Sequence, residues 1–129
     1  MLINLSNHPT DNWGREQTSA SIAMFGHTED MPFPDVSPTA EPDEIQEIAQ
    51  FYVEECFLMF GDYDECCPDD EHEHAIHVQG EFTLVYALVN MFREEGIRCY
   101  ASTSERNVVE EADGKKTVTF NFVQFREYC

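Results

Sequence analysis

The side chains best suited to chemistry stand in three short polar segments of this 129-residue chain. In the first, His8 is held between Asn7 and Pro9. An imidazole titrates near neutrality, so it serves as a general acid or base, or hydrogen-bonds a phosphate or ribose; the plainer reading of the dipeptide is a turn with a solvated ring. In the second, Gly80 lets a ligand approach the backbone closely, and Glu81 follows at the start of a helical pattern. The Glu81 carboxylate either caps that helix or acts as a base or an acceptor for a ribose hydroxyl. In the third, Ser102, Thr103 and Ser104 supply three hydroxyls and Arg106 a guanidinium, the donor set that recognises phosphate, or else an ordinary polar turn with Arg106 paired to Glu105 or Glu110.

A fourth group, Cys66, Cys67, His72, His74 and His77, contains soft donors. Adjacent cysteines have difficulty sharing one metal, there is no CxxC, and His77 is interleaved with Ile76 and Val78 as a strand histidine would be. No metal site and no cofactor is assigned to it.

The elements that must position these segments alternate between strand and helix. Leu2 to Ser6 reads as a strand feeding a turn cluster, and Arg15 to Phe25 as a helix closed by Gly26. A short strand at Thr28 to Met31 precedes a proline-stiffened connection through Pro32, Pro34 and Pro38. Pro42 starts a second helix in which Ile45, Ile48, Ala49, Tyr52, Cys56 and Met59 recur at helical spacing. Ala75 to Gln79 is a third strand, and Phe82, Val85, Leu88, Val89 and Phe92 mark the inward face of a third helix. A fourth strand, Ile97 to Ala101, ends in a polar loop over Ser102 to Arg106. Asn107 to Glu111 and Thr117 to Phe125 then flank an Asp113-Gly114 turn as a hairpin with one face buried.

This alternation predicts a single domain over residues 1–129 with a three-layer α/β fold: a mostly parallel sheet of order 2-1-3-4 with a C-terminal antiparallel β-hairpin. In such sheets ligands bind outside the carboxyl ends of the strands where the order reverses, which selects all three polar segments together. Phe120, Phe122 and Phe125 read as core or dimer interface rather than a base-stacking platform, because no cation is interleaved with them before Arg126.

Charge narrows the ligand. Lys and Arg number 7 against 26 Asp and Glu, a formal net charge of -19, which repels a long polyanion or an anionic membrane surface. Residues 1–92 hold one base and 19 acids, whereas residues 93–129 hold six bases and seven acids. Seven of the acids fall in 61–74, which reads as a solvated, mobile loop. No stretch approaches the roughly 20 apolar residues of a membrane span, and the start lacks the basic and apolar runs of a secretory signal, so a cytoplasmic protein is expected. The five cysteines form no disulfide framework and are read as reduced thiols.

The opening Leu2-Ile3-Asn4-Leu5-Ser6-Asn7-His8-Pro9, with Trp13 and Gln17, resembles the start of small CRISPR-associated proteins of Rossmann-like type. The segments His77 to Glu81, Ala101 to Arg106 and Phe122 to Tyr128 resemble a set of uncharacterised bacterial proteins of this length. The first resemblance implies a homodimer that binds a cyclic oligoadenylate second messenger and cleaves it without metal, as a ring nuclease. Only Asn7 and His8 match that group's pattern; Gly80, Glu81, Ser102, Thr103, Ser104 and Arg106 enter through the fold. In the mechanism so implied His8 is the acid or base, Ser102 and Thr103 hold the phosphate and Arg106 stabilises its charge. The competing expectations are a non-catalytic acidic module whose segment Asp62 to Glu73 engages a basic partner, and a nucleotide sensor without chemistry.

Overall fold

The computed structural model describes residues 1–129. Its strands are β1 (Leu2–Ser6), β2 (Thr28–Pro32), β3 (Ala75–Gln79), β4 (Arg98–Glu110) and β5 (Lys116–Glu127). Its helices are α1 (Arg15–Phe25), α2 (Pro42–Cys66) and α3 (Phe82–Glu94), with a 3-10 turn at Thr10–Asn12. The strands form one sheet of order β2-β1-β3-β4-β5, parallel except for the antiparallel β4–β5 pair.

Alternation along the strands places helices on both faces. Ile3, Leu5, Ile76, Val78 and Cys99 point to the side covered by α2 and α3 and pack there with buried groups such as Val53, Cys56, Leu88 and Phe92. Leu2, Ala75 and Phe125 point to the other side, where Phe25 of α1 closes a much smaller cluster. The chain moves outward from β1 to β2 through α1, then returns through α2 to place β3 on the other flank of β1. The β1–β3 junction is therefore where the order reverses.

Four expectations change. Residues 61–66 are not loop: α2 runs on to Cys66, because Phe60 and Tyr63 continue its inward apolar spacing while Asp62 and Glu65 face water. The rest of the acidic segment, 67–74, lies outside helix and strand and is tied to the body by side-chain contacts. Asp70 accepts from the Tyr63 hydroxyl and from the backbone and ring of His72, and His74 stacks on Phe60 at 4.3 Å. These bonds hold the Asp70 carboxyl well below the usual range, the Tyr63 hydroxyl being the largest cause.

Ser102 to Arg106 is likewise not a loop after a strand. It lies inside β4, which continues directly into the hairpin, since β5 offers pairing partners all the way from Glu127 to Lys116. The hairpin's apolar face is exposed rather than buried, because α1 covers only its base. Phe82, expected on the inner face of α3, is 89% exposed at the first helical position, and Leu84, Ala87, Leu88, Val89 and Phe92 form the buried stripe.

No helix is long and apolar enough to cross a membrane. All five cysteines are free; burial pushes the thiols of Cys56 and Cys99 up to about 12, so neither is a ready nucleophile.

Candidate functional site: a polar cleft beyond the strand ends

Within the apolar strand β1 two positions are polar. Asn4 and Ser6 alternate with Ile3 and Leu5 and so share the α1 face, and both are buried. Their partners in β3 are also polar, Asn4 opposite His77 and Ser6 opposite Gln79. A polar stripe thus crosses the sheet where the apolar layers end, and every member must find a hydrogen bond.

They find one another. The Asn4 Oδ1 accepts from the Ser6 hydroxyl at 2.7 Å and faces His77 Nδ1 at 2.7 Å. The Asn4 amide nitrogen donates to Asp30 Oδ1 and to the carbonyl oxygen of His8, both at 2.8 Å. Asp30 also accepts from the backbone and hydroxyl of Thr10, and Trp13 Nε1 donates to the same His8 carbonyl at 3.0 Å. The turn from Asn7 to Trp13 is therefore pinned to the strands by its backbone. The His8 side chain is exposed and makes no hydrogen bond within the chain, so it is free at the rim.

On the far side β4 parts from β3 beyond the His77–Tyr100 pair. There Gln79 takes over the bridging: its Oε1 accepts from the Ser102 hydroxyl at 2.6 Å and its amide nitrogen donates to the Ser102 carbonyl at 3.2 Å. The divergence opens a cleft of about 580 Å³ above the stripe. Thirteen residues line it and none is Asp, Glu, Lys or Arg. In a chain of net charge -19 this lining holds no acid.

His77 forms the floor. It is 1% exposed, edge-on to Trp13 at 5.6 Å and to Phe125 at 5.5 Å. Burial lowers its pKa to about 4, more than the Gln79 contact raises it, and His8 lowers it slightly further. A neutral ring has one N–H, and Asn4 claims it, because the Asn4 amide nitrogen is already committed. The ring's Nε2 then meets Gln79 Oε1 at 3.0 Å, a contact that both partners satisfy only when the imidazole is protonated. The floor thus carries a histidine kept neutral by burial yet provided with two acceptors for its charged form.

The residues expected from sequence are distributed unevenly about this cleft. Asn7, His8, Gly80, Ser102, Thr103 and Ser104 line it. The reason for glycine at position 80 is an internal neighbour: an added Cβ would sit 2.5 Å from Phe33 Cε1. Glu81 lies outside the lining, its carboxylate accepting from the Thr83 hydroxyl and from the backbone N–H groups of Thr83 and Leu84. These bonds, the Thr83 hydroxyl first, lower its pKa, and they commit it to capping α3. The Thr103 hydroxyl donates to the Gln124 carbonyl. Arg106 is exposed farther along β4, opposite Phe120, and makes no ion pair within the chain. Sequence reasoning placed Gln79 in the segment Gln79-Gly80-Glu81 at the strand end without giving it a role, and did not single out Asn4, Ser6 or the role of Trp13; the available signal was the polar alternation Asn4, Ser6 within an otherwise apolar strand.

No curated protein and no solved structure matches the chain. A family model described as Uncharacterized protein MJ1673 family matches residues 1–126. With all but the last three residues inside that match, the chain belongs to the MJ1673 family.

Proposed function

We propose that the cleft binds a small anionic nucleotide of the cyclic oligoadenylate class and that His8 promotes metal-independent cleavage of its phosphodiester. The observation that carries this reading is the cleft itself: free of carboxylates in a strongly acidic protein, it lies at the carboxyl ends of β1 and β3 where the strand order reverses. The same order, with helices on both faces, supports calling the fold Rossmann-like. Its volume is that of an ordinary small-molecule site, so a cyclic oligonucleotide would enter by one edge.

In this reading the ribose 2′-oxygen attacks the adjacent phosphorus while the bond to the 5′-oxygen breaks. The products are a 2′,3′-cyclic phosphate and a 5′-hydroxyl. His8 takes the 2′-hydroxyl proton, and the leaving oxygen receives a proton from water. Asn7 and Ser104, whose side chains face the cleft uncommitted, donate to the phosphoryl oxygens, and alignment of the attacking oxygen supplies much of the rate. Glu81, already spent on its helix, takes no part. A role in CRISPR-associated antiviral defence and a cytoplasmic location go with such a messenger.

The test is incubation of the purified protein with labelled cyclic tetra- and hexaadenylate in the presence of a chelator. The expected result is a linear product ending in a 2′,3′-cyclic phosphate, lost in His8→Ala. Absence of both binding and product at micromolar protein overturns the proposal.

A further inference from the structure

Beyond the cleft, β4 and β5 leave the body as a two-stranded ribbon. Directly opposed residues of an antiparallel pair share a face. From Ser104–Phe122 outward, one face therefore carries Arg106 with Phe120, Val108 with Val118, and Glu110 with Lys116. The other carries Glu105 with Asn121, Asn107 with Thr119, and Val109 with Thr117. The extra residue Val123, in the irregularity beside Thr103 and Ser104, lets Phe122 and Phe125 both face α1, so the apolar face of the ribbon is continuous with the wall of the cleft.

Nothing in the chain covers it. Val108 is 49%, Val118 42% and Phe120 67% exposed. A two-stranded ribbon is marginal in water by itself, and a contiguous exposed apolar face marks an interaction surface.

We infer that this face pairs with the same face of a second copy of the chain, ribbon stacked on ribbon in opposite directions about a two-fold axis at Val108–Val118. The charge pattern is self-complementary about that point. Arg106 and Glu110 stand two residues to either side of Val108, and Phe120 and Lys116 two residues to either side of Val118. A two-fold operation sets Arg106 against the partner's Glu110 and Phe120 under the partner's Lys116, which makes an ion pair and a cation–π contact twice over. The acidic bodies repel one another, and residues 104–121 carry three bases against four acids, so the ribbon is the place where two copies meet at least electrostatic cost.

The same operation carries each hairpin tip to the base of the other ribbon, over Ser104 and Phe122. Lys116 of one copy, on the inward face over its partner's Phe120, then stands beside the partner's cleft, which Phe120 lines, and supplies a cation that the cleft's own lining lacks. This last step rests on the nucleotide reading; the pairing itself does not.

Sedimentation equilibrium of the full chain without nucleotide tests the pairing. The expected particle has twice the 14.9 kDa chain mass. Val118→Asp raises the dissociation constant at least about tenfold, with circular dichroism and melting showing that the body remains folded. Arg106→Glu weakens the dimer as well, and Arg106→Glu with Glu110→Arg restores it, which a merely folding-defective ribbon would not do. A monomeric wild type, a dimer indifferent to Val118→Asp, or no restoration by the charge swap overturns the inference. Failure of cyclic tetraadenylate to bind leaves these outcomes untouched and speaks only against the nucleotide reading. With binding established, Lys116→Ala weakens it severalfold at protein concentrations that keep the chain dimeric; unchanged affinity overturns the contribution of Lys116.

Discussion

His77 Nδ1 lies 2.7 Å from Asn4 Oδ1, joining neighbouring strands beneath the cleft, and the same Asn4 amide holds the His8 carbonyl oxygen at 2.8 Å. One buried side chain thus connects the floor of the site to its rim. Asn4→Ala strips the bond from His77, Asp30 and His8 together. The expected loss of stability is about 1–3 kcal/mol, the cost of leaving buried polar groups unpaired, and is read from urea unfolding. A variant as stable as the parent would show that the network contributes nothing.

The His77 ring makes stability depend on pH with a definite sign. Its folded pKa, near 4, lies below the unfolded value of 6.5, so between those limits the unfolded chain binds more protons and stability rises with pH. The contribution is complete above pH 6.5 and is lost as the pH falls towards 4, amounting to about 3 kcal/mol. Because the carboxylates titrate as well, the comparison is between the wild type and His77→Asn: their difference in stability changes over this window and is constant above it. Parallel curves from pH 4 to 7 would contradict the burial argument.

Gly80→Ala tests why glycine stands at the end of β3. The new Cβ meets the Phe33 ring, and overpacking of this kind costs about 1–3 kcal/mol. Combining it with Phe33→Leu recovers part of the loss, so the two changes are non-additive in chemical denaturation. Additive effects would mean that Gly80 is required for another reason.

Glu81→Ala separates capping from chemistry. The expected variant melts a few degrees lower through the lost cap on α3, and it cleaves and binds cyclic tetraadenylate as the parent does. A large drop in turnover at unchanged stability would return Glu81 to the reaction.

The elements were readable where a local signal was strong. Pro42 opened α2, Ala75 to Gln79 formed β3 as expected, and Asp113-Gly114 marked the hairpin, with Gly114 at φ 84°. Misreadings occurred where pairing overrode composition. Ser102 to Arg106 looks like a turn until β5 supplies a partner for each residue, and the acids of 61–66 look unstructured until Phe60 and Tyr63 are seen to keep α2 in contact with the core. The site was half legible for the same reason. Asn7, His8 and Ser102 to Ser104 announce themselves by type, whereas Asn4 acquires meaning only through the register that sets it beside His77, and Gln79 only through its side-chain bridge to Ser102 where β3 and β4 part.

The central claim, that the uncharged cleft is the nucleotide site, is tested most directly by titrating isotopically labelled protein with cyclic tetraadenylate and following the amide and imidazole resonances. The account predicts saturable shifts at Asn7, His8, Gly80 and Ser102 to Ser104, together with a rise in the His77 pKa as phosphate charge arrives above it. Unshifted resonances at millimolar nucleotide, or shifts confined to the exposed face of α2, would contradict it.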